Sequence, residues 1–464
     1  MANLLFDDFQ NRTKEQWKQQ AIKDLKGKSF DDTLLWNVDE NITVEPYYTS
    51  EDNLEISIKA IQQAQAQRVS SHWQYREKVR FTSEKETNEL IIRLLKSGTD
   101  SFQIDLGKEL LSEIEFKKLL NNIKLSDTAF FFKVENQALA LVNALQNIAP
   151  YLWKGGIIND AFGRWMQTGE WDNNYWKSTA SLLGKVQSHP QFKVLVINSH
   201  HFHNAGANVS QELAYTLATA IETIDKLSQE GVAIEQILAK IEFSISVGTN
   251  YFVEIAKLRA LKLLWAKLVS EGYGLDISVA NSTSIHCQTS VYYDAAITPH
   301  TNMLRATTEA MAAIIGGCDA ISINAFDESF STPDDFSRRI ARNVSIILKE
   351  ESYLDKVIDP SAGSYFIENL THQIAENTLK ILEEVENKGG ISEAFTQGFI
   401  QKSINAEREK QITQLQNNQN IMVGVNKFRF DEKPFSKPAS TTTLTSETIF
   451  ALLPNLRLSE IFEA

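Results

Sequence analysis

The chain has 464 residues, 43% of them hydrophobic, and a formal net charge of −13. That length accommodates one large barrel with attachments, or two to three ordinary domains. The acidic charge argues against nucleic acid or an anionic membrane as the main partner. Cys287 and Cys318 are too few for a disulfide framework, and their spacing fits no zinc site. Neither a secretory signal nor a membrane span is indicated, so we expect a cytoplasmic protein.

Residues 1–72 are predicted to form an N-terminal arm. Thr13 and Gln16 have the spacing of a capping box, which predicts a helix that ends at Gly27. The apolar stretches after it, such as the one at Trp36, have no regular period. Two interpretations stay open: the arm wraps another subunit, or it packs on its own domain.

Strand-like and helix-like stretches alternate over residues 73–330. The eight strand-like stretches are Trp73–Phe81, Phe102–Leu106, Ala129–Val134, Gly156–Asn159, Val194–Ser199, Phe243–Val247, Ile277–Ala280 and Ala320–Asn324. The clearest helix between them is Tyr251–Ser270. This α/β alternation predicts a parallel sheet, and eight units predict a closed (β/α)8 barrel of the TIM type. A doubly wound open sheet is the alternative.

The remainder is predicted as a helical extension over 331–416 and a linker-like tail over 417–464. The acidic pair Asp327-Glu328 is expected to cap the helix that starts near Pro333. The predicted helices are Phe336–Glu350, Phe366–Glu386, Ile391–Gln416 and a short final piece, Leu456–Glu463.

Three histidines, His200, His201 and His203, follow the fifth predicted strand. Strand alternation would send His200 and His201 to opposite sides, so the pair could not chelate one ion. No carboxylate or cysteine lies nearby in the sequence to complete a ligand set, and we expect no metal. Two interpretations remain: a neutral imidazole that donates a hydrogen bond to a substrate carbonyl, or a satisfied polar cluster without a catalytic role.

A second polar segment, Asn281–Ser290, is expected at the end of the seventh strand. It contains Ser284, His286 and Gln288, whose hydroxyl, imidazole and amide groups suit hydrogen bonds to a ligand. A capped loop uses the same residue types, so both interpretations stay open.

Five further stretches carry specific motifs: Phe252–Ala260, His286–Ser290, Asn324–Glu328, Ile340–Asn343 and Asp359–Tyr365. They resemble motifs of the methylmalonyl-CoA mutase family, in its substrate-barrel domain. The arm is similar too, and the resemblance covers essentially the whole chain. It implies a barrel that threads coenzyme A along its axis and meets adenosylcobalamin at its C-terminal face, with cobalamin held by a separate flavodoxin-like domain.

The family's cobalt-ligating signature, D-x-H-x-x-G, is missing, because none of the eight histidines has an aspartate two residues before it. The resemblance therefore implies that this chain itself binds no cofactor. Adenosylcobalamin would be bound in the holoenzyme by a large catalytic subunit.

The family's catalytic positions have changed as well. Lys78 stands where the family has the tyrosine that shields the radical, and Arg80 replaces a glycine of the same motif. His200 replaces the tyrosine of the family's Tyr-His pair, so that only His201 is kept. The resemblance therefore implies no intact catalytic set, and the long side chains of Lys78 and Arg80 are candidates to plug the barrel mouth.

The substrate-binding positions are expected to form a vestigial pocket of Thr168, Ser284, His286 and Gln288. The resemblance places arginines of the active family members at Thr168 and Ser284. Losing the arginine that pairs with the substrate carboxylate removes a bidentate clamp, of roughly 2–5 kcal/mol when buried.

The resemblance implies a small, non-catalytic subunit of a heterodimeric methylmalonyl-CoA mutase, a structural and stabilising partner of the large catalytic subunit. Two alternatives stay open. One is an active acyl-CoA mutase substrate subunit that uses a cobalamin domain on a separate chain. The other is a regulatory barrel that binds CoA esters.

Overall fold

The computed structural model describes residues 12–53, 58–66, 68, 70–107, 111–430 and 450–463. Two short strands of the arm, β1 (Trp36–Asn37) and β2 (Thr43–Val44), pair antiparallel. The other nine form one parallel sheet. They are β3 (Gln74–Arg80), β4 (Ser101–Asp105), β5 (Ala129–Lys133), β6 (Gly155–Ile158), β7 (Phe192–Lys193), β8 (Leu195–Asn198), β9 (Ile241–Val247), β10 (Ser284–Thr289) and β11 (Ala320–Ser322).

The sheet closes into a barrel through one interrupted strand. Strands β7 and β8 flank Val194; β7 pairs with β6, and β8 pairs with β9. The pairing of β11 with β3 joins the last strand to the first. Counted as one, β7 and β8 are the fifth of eight barrel strands, and the predicted (β/α)8 barrel is confirmed.

Helices surround the barrel and continue past it. Side chains that point outward from the strands pack against these helices in the main hydrophobic core. The helices are α1 (Lys14–Asp24), α2 (Phe30–Leu34), α3 (Ile58–Ala66), α4 (Glu84–Leu95), α5 (Phe116–Leu119), α6 (Ala138–Ile148), α7 (Ala161–Thr168), α8 (Tyr175–Lys185), α9 (His200–His203), α10 (Val209–Gln229), α11 (Ile234–Leu238), α12 (Tyr251–Lys267), α13 (Thr301–Gly316), α14 (Asp335–Glu350), α15 (Tyr365–Glu386), α16 (Ile391–Thr396) and α17 (Phe399–Gln416).

Three predictions about these elements are wrong. Ile277–Ala280 is not a strand but part of a 3-10 turn, Ile277–Ser282, and the seventh strand is β10. The single helix expected over Ile391–Gln416 is broken between α16 and α17 by Gly398, whose φ of 77° is left-handed. Asp334, rather than Asp327-Glu328, caps α14 by accepting hydrogen bonds from two backbone N–H groups of its first turn.

The described part of the arm packs on its own chain. Thr13 and Gln16 form the predicted capping box at the start of α1. The ring of Tyr48 lies 5.4 Å from that of Phe366 at the start of α15. None of the helices among the described residues is long and apolar enough to cross a membrane.

The last described segment, residues 450–463, crosses the C-terminal face of the barrel. Its backbone N–H groups donate to carbonyls of three segments that each follow a barrel strand: Leu453 to Met166 (2.8 Å), Leu456 to Asn204 (3.0 Å) and Leu458 to Tyr292 (2.8 Å). It therefore joins α7, the end of α9 and the loop after β10, which follow β6, β8 and β10.

Candidate functional site

The barrel interior is polar on one side. Residues alternate between outward and inward in a strand, so every second side chain of β3, β9, β10 and β11 points to the axis. Most of these inward side chains are charged or hydroxylated and almost completely buried. They include Arg76, Glu242, Ser244, Ser246, His286 and Ser322.

An ion pair lies across this interior. Arg76 of the first barrel strand donates to Glu242 of the sixth through two parallel hydrogen bonds, Nη1 to Oε1 at 2.7 Å and Nη2 to Oε2 at 2.9 Å. The guanidinium carbon lies 3.5 Å from the centroid of the Phe131 ring on the third strand. Ser284 Oγ donates to the same carboxylate at 3.1 Å. Together these four side chains occupy the barrel axis.

A hydrogen-bonded histidine lies next to the ion pair. His286 Nε2 is 2.9 Å from Ser322 Oγ, and Ser322 donates its hydroxyl proton to the Arg76 carbonyl at 2.8 Å. Ser322 must therefore accept from a protonated Nε2, and Nδ1 of His286 accepts from Ser244 Oγ at 2.9 Å. Burial lowers the pKa of His286 well below its usual value, which keeps the ring neutral.

The same chain continues to His200. Since Ser244 gives its proton to His286, it accepts from His200 Nε2 at 2.8 Å, and His200 Nδ1 accepts from Ser246 Oγ at 2.7 Å. Burial lowers the pKa of His200 to about 3. Both rings are neutral and every ring nitrogen is used, so neither has a nitrogen left to act on a substrate.

The histidines after β8 lie in the short helix α9 and not on an extended strand, so their predicted alternation is wrong. His201 is 3% exposed, and neither ring nitrogen has a hydrogen-bond partner among the described residues. His203 lies between Glu212 Oε2 (3.1 Å) and Ser290 Oγ (2.8 Å). No group of three or more His, Cys, Asp or Glu side chains suited to a metal occurs among the described residues.

Two of the family-like motifs form buried ion pairs behind the barrel wall. Lys257 of α12, fully buried, donates to Glu212 of α10 at 3.0 Å. Burial alone would raise the pKa of Glu212, but the charges of Lys257 and His203 lower it to about 2. Arg259 is bonded to Asp359 and, at 2.8 Å, to Glu368. These charges hold α10, α12 and α15 together and do not face the axis.

The C-terminal mouth of the barrel is lined with charged and polar groups. Lys78 Nζ donates to Asn324 Oδ1 at 2.7 Å and to the carboxylate of Glu328. Gln288 and Arg80 line the same cavity, of about 420 Å³. Thr168 lies apart, at the end of α7, where its hydroxyl donates to the Arg164 carbonyl at 2.8 Å.

A larger cavity, of about 910 Å³, opens at the N-terminal end of the barrel. Its inner wall is made by Arg76, Phe131 and Glu242, and Ser284 also lines it. The layer of Arg76, Glu242 and His286 therefore lies between the two cavities. Of the predicted pocket residues, Ser284 and His286 belong to this layer, Gln288 to the mouth, and Thr168 to neither.

Sequence reasoning missed the ion pair. The predicted sixth strand begins at Phe243 and leaves out Glu242, and no sequence pattern singles out Arg76. A usable signal existed: an arginine and a glutamate at inward positions of otherwise buried strands predict a paired charge, since an unpaired one is too costly to bury.

Comparisons with known proteins place the chain in a family. Residues 105–449 match the family model for methylmalonyl-CoA mutase. The methylmalonyl-CoA mutase small subunit of Porphyromonas gingivalis is 34% identical over 91% of this chain and 71% of its own length. The methylmalonyl-CoA mutases of Cereibacter sphaeroides (30% identical, 89% of this chain) and Escherichia coli (29%, 90%) are each covered over 64% of their length.

Solved structures match more weakly. A dihydropteroate synthase from Stenotrophomonas maltophilia covers 60% of this chain and 94% of its own, with 10% identity and a TM-score of 0.34, which is too low for any inference. The family model alone matches well over half of the chain. The chain therefore belongs to the methylmalonyl-CoA mutase family.

Proposed function

We propose that this chain is the small, non-catalytic subunit of a heterodimeric, cytoplasmic methylmalonyl-CoA mutase, the enzyme that interconverts methylmalonyl-CoA and succinyl-CoA. Its role is structural: it stabilises a large catalytic subunit. The observation that carries the proposal is the Arg76–Glu242 pair on the barrel axis. A family substrate would need to pass through the space that this pair and Phe131 occupy.

The catalytic positions support the same role. Lys78 is bonded to Asn324 and Glu328 at the mouth, where a substrate's reacting end would lie. Both ring nitrogens of His200 are bonded to serines of β9. His201 keeps the family's histidine but is enclosed in the protein. Thr168, which stands at the position of the carboxylate-binding arginine, bonds within its own helix.

Adenosylcobalamin is assigned to the large subunit. A cobalt ligand must present a free imidazole nitrogen to a bulky corrin, and the three histidines of α9 do not fit that need. His200 and His203 have both ring nitrogens within hydrogen-bonding distance of protein groups, and His201 is 3% exposed. The holoenzyme's cobalamin chemistry therefore takes place on the partner.

One observation favours a second function. The cavity of about 910 Å³ at the N-terminal end is large enough for part of a CoA ester, even with the axis filled. A regulatory barrel would use it to bind CoA esters without turnover. An active mutase subunit that borrows a cobalamin domain would require the axis to open.

Co-elution with the catalytic large subunit and calorimetric titration with methylmalonyl-CoA test these functions. The proposal expects a stable complex in size-exclusion chromatography and no saturable CoA-ester binding to this chain alone. Binding without turnover would favour the regulatory barrel. A failure to form any complex with the large subunit would refute the structural role.

A further inference from the structure

Two lysines meet at the N-terminal cavity of the barrel. Lys193 projects inward from the interrupted fifth strand, and Lys240 precedes the sixth strand; both line the cavity of about 910 Å³. Neither ammonium lies within ion-pair distance of a carboxylate among the residues described. Lys193 donates instead to the backbone carbonyls of Ala239 (2.8 Å) and Ser282.

Lys240 has the same kind of environment. Its Nζ donates to the carbonyls of Val186 (2.9 Å) and His189. It directly follows Ala239, whose carbonyl accepts from Lys193, so the Lys193 amine is bonded to the residue that precedes Lys240. Two cations that share a partly closed cavity without paired anions repel each other, which favours the neutral form of one of the two amines.

We propose that Lys193 is a nucleophile that forms a Schiff base with a small carbonyl compound carrying an acidic group, such as a 2-oxo acid, and that Lys240 binds the acidic group. A neutral lysine amine has two N–H donors and one lone pair. The Ala239 and Ser282 carbonyls take both donors, which leaves the lone pair for a carbonyl carbon in the cavity.

The surrounding charges support this reactivity. Burial lowers the pKa of Lys193 to about 8, although Glu242 and Asp319 oppose the shift. Burial and the charge of Lys193 lower the pKa of Lys240 to about 8. At pH 7 the neutral fraction of Lys193 is then about 300 times that of a lysine with the ordinary pKa of 10.5.

The reaction balances without another reagent. The Lys193 amine attacks the carbonyl carbon and forms a C–N bond; the carbonyl oxygen leaves as water with both amine hydrogens, and a C=N bond results. The imine nitrogen then takes one proton from solvent, and this proton gives the iminium one N–H that donates to a backbone carbonyl. Its positive charge replaces that of the ammonium in the field of Glu242 and Asp319.

Reductive trapping tests the proposal on the full chain. The protein is incubated with pyruvate and sodium cyanoborohydride, and adducts are located by peptide mass mapping. We expect one dominant adduct on Lys193, lost in Lys193→Arg and kept in the matched variant Lys154→Arg, which changes a lysine of the same cavity. The ratio of the trapping rate at Lys193 to that at exposed lysines should be highest near pH 7, where few exposed lysines are neutral, and should fall as the pH rises toward 10.

An adduct on Lys240 instead, labelling spread evenly over surface lysines, or the absence of any adduct would overturn the assignment. The wild-type map and pH profile decide the question even if Lys193→Arg does not fold. The outcome is independent of the subunit role, because a chain without mutase turnover would still be labelled.

Discussion

The ion pair on the barrel axis predicts a large and asymmetric response to mutation. Arg76 and Glu242 are 2% and 3% exposed, and two hydrogen bonds join them. Glu242→Gln keeps the shape but removes the negative charge, which leaves the guanidinium buried without its counter-charge. We expect a loss of about 3–5 kcal/mol in the free energy of unfolding, because a buried unpaired charge costs that much.

The double variant Arg76→Met/Glu242→Leu should be more stable than Glu242→Gln alone, since it removes both charges and leaves apolar groups against Phe131. Urea unfolding followed by circular dichroism and tryptophan fluorescence measures both. The matched control is Arg93→Gln: Arg93 pairs with Asp335 at 2.9 Å with side chains 58% and 70% exposed. That variant should lose no more than about 1 kcal/mol.

If Glu242→Gln lowers the free energy of unfolding no more than Arg93→Gln does, the Arg76–Glu242 pair is not buried away from water on the barrel axis. A double variant less stable than Glu242→Gln would also contradict this expectation, because it would mean that the paired charges contribute more to stability than their burial costs.

Three further predictions concern other parts of the fold. Lys257→Met leaves Glu212 buried without its counter-charge and should cost about 3–5 kcal/mol in urea unfolding, whereas Lys267→Met, at an exposed position of the same helix, should be nearly neutral. His200 has a folded-state pKa of about 3, below its unfolded value, so the unfolded chain binds its proton first as the pH falls. The free energy of unfolding should therefore decrease below about pH 6.5, by up to about 1.4 kcal/mol per pH unit. A His200→Gln variant whose unfolding free energy shows the same pH slope in urea would refute this. Gly398→Ala forces a left-handed φ of 77° on alanine and should lower the unfolding free energy by about 1–2 kcal/mol. An unchanged unfolding free energy would show that alanine adopts this φ without strain.

The barrel could be predicted because its strands alternate with helices and their outward faces are apolar. The seventh strand was missed for a physical reason. Strand β10 points Ser284, His286 and Gln288 inward and only Ile285 and Cys287 toward the apolar core, so its sequence resembles a polar loop. The apolar run beside it packs against the helices as a 3-10 turn.

The site was less predictable than the fold. The motifs identified the family, yet Lys257 and Arg259 act as structural charges that join helices, a role that depends on partners far away in the sequence. The same holds for Arg76 and Glu242, which are separated by 166 positions. Single-sequence patterns indicate which residues are inward, but not which inward residues meet across the axis.

Turnover by the isolated chain tests the central claim most directly. The purified chain is assayed with adenosylcobalamin and methylmalonyl-CoA, alone and with the large catalytic subunit added, and succinyl-CoA is measured. The closed axis predicts no product from the chain alone and product only when the large subunit is present. Succinyl-CoA formed by the isolated chain would contradict the account.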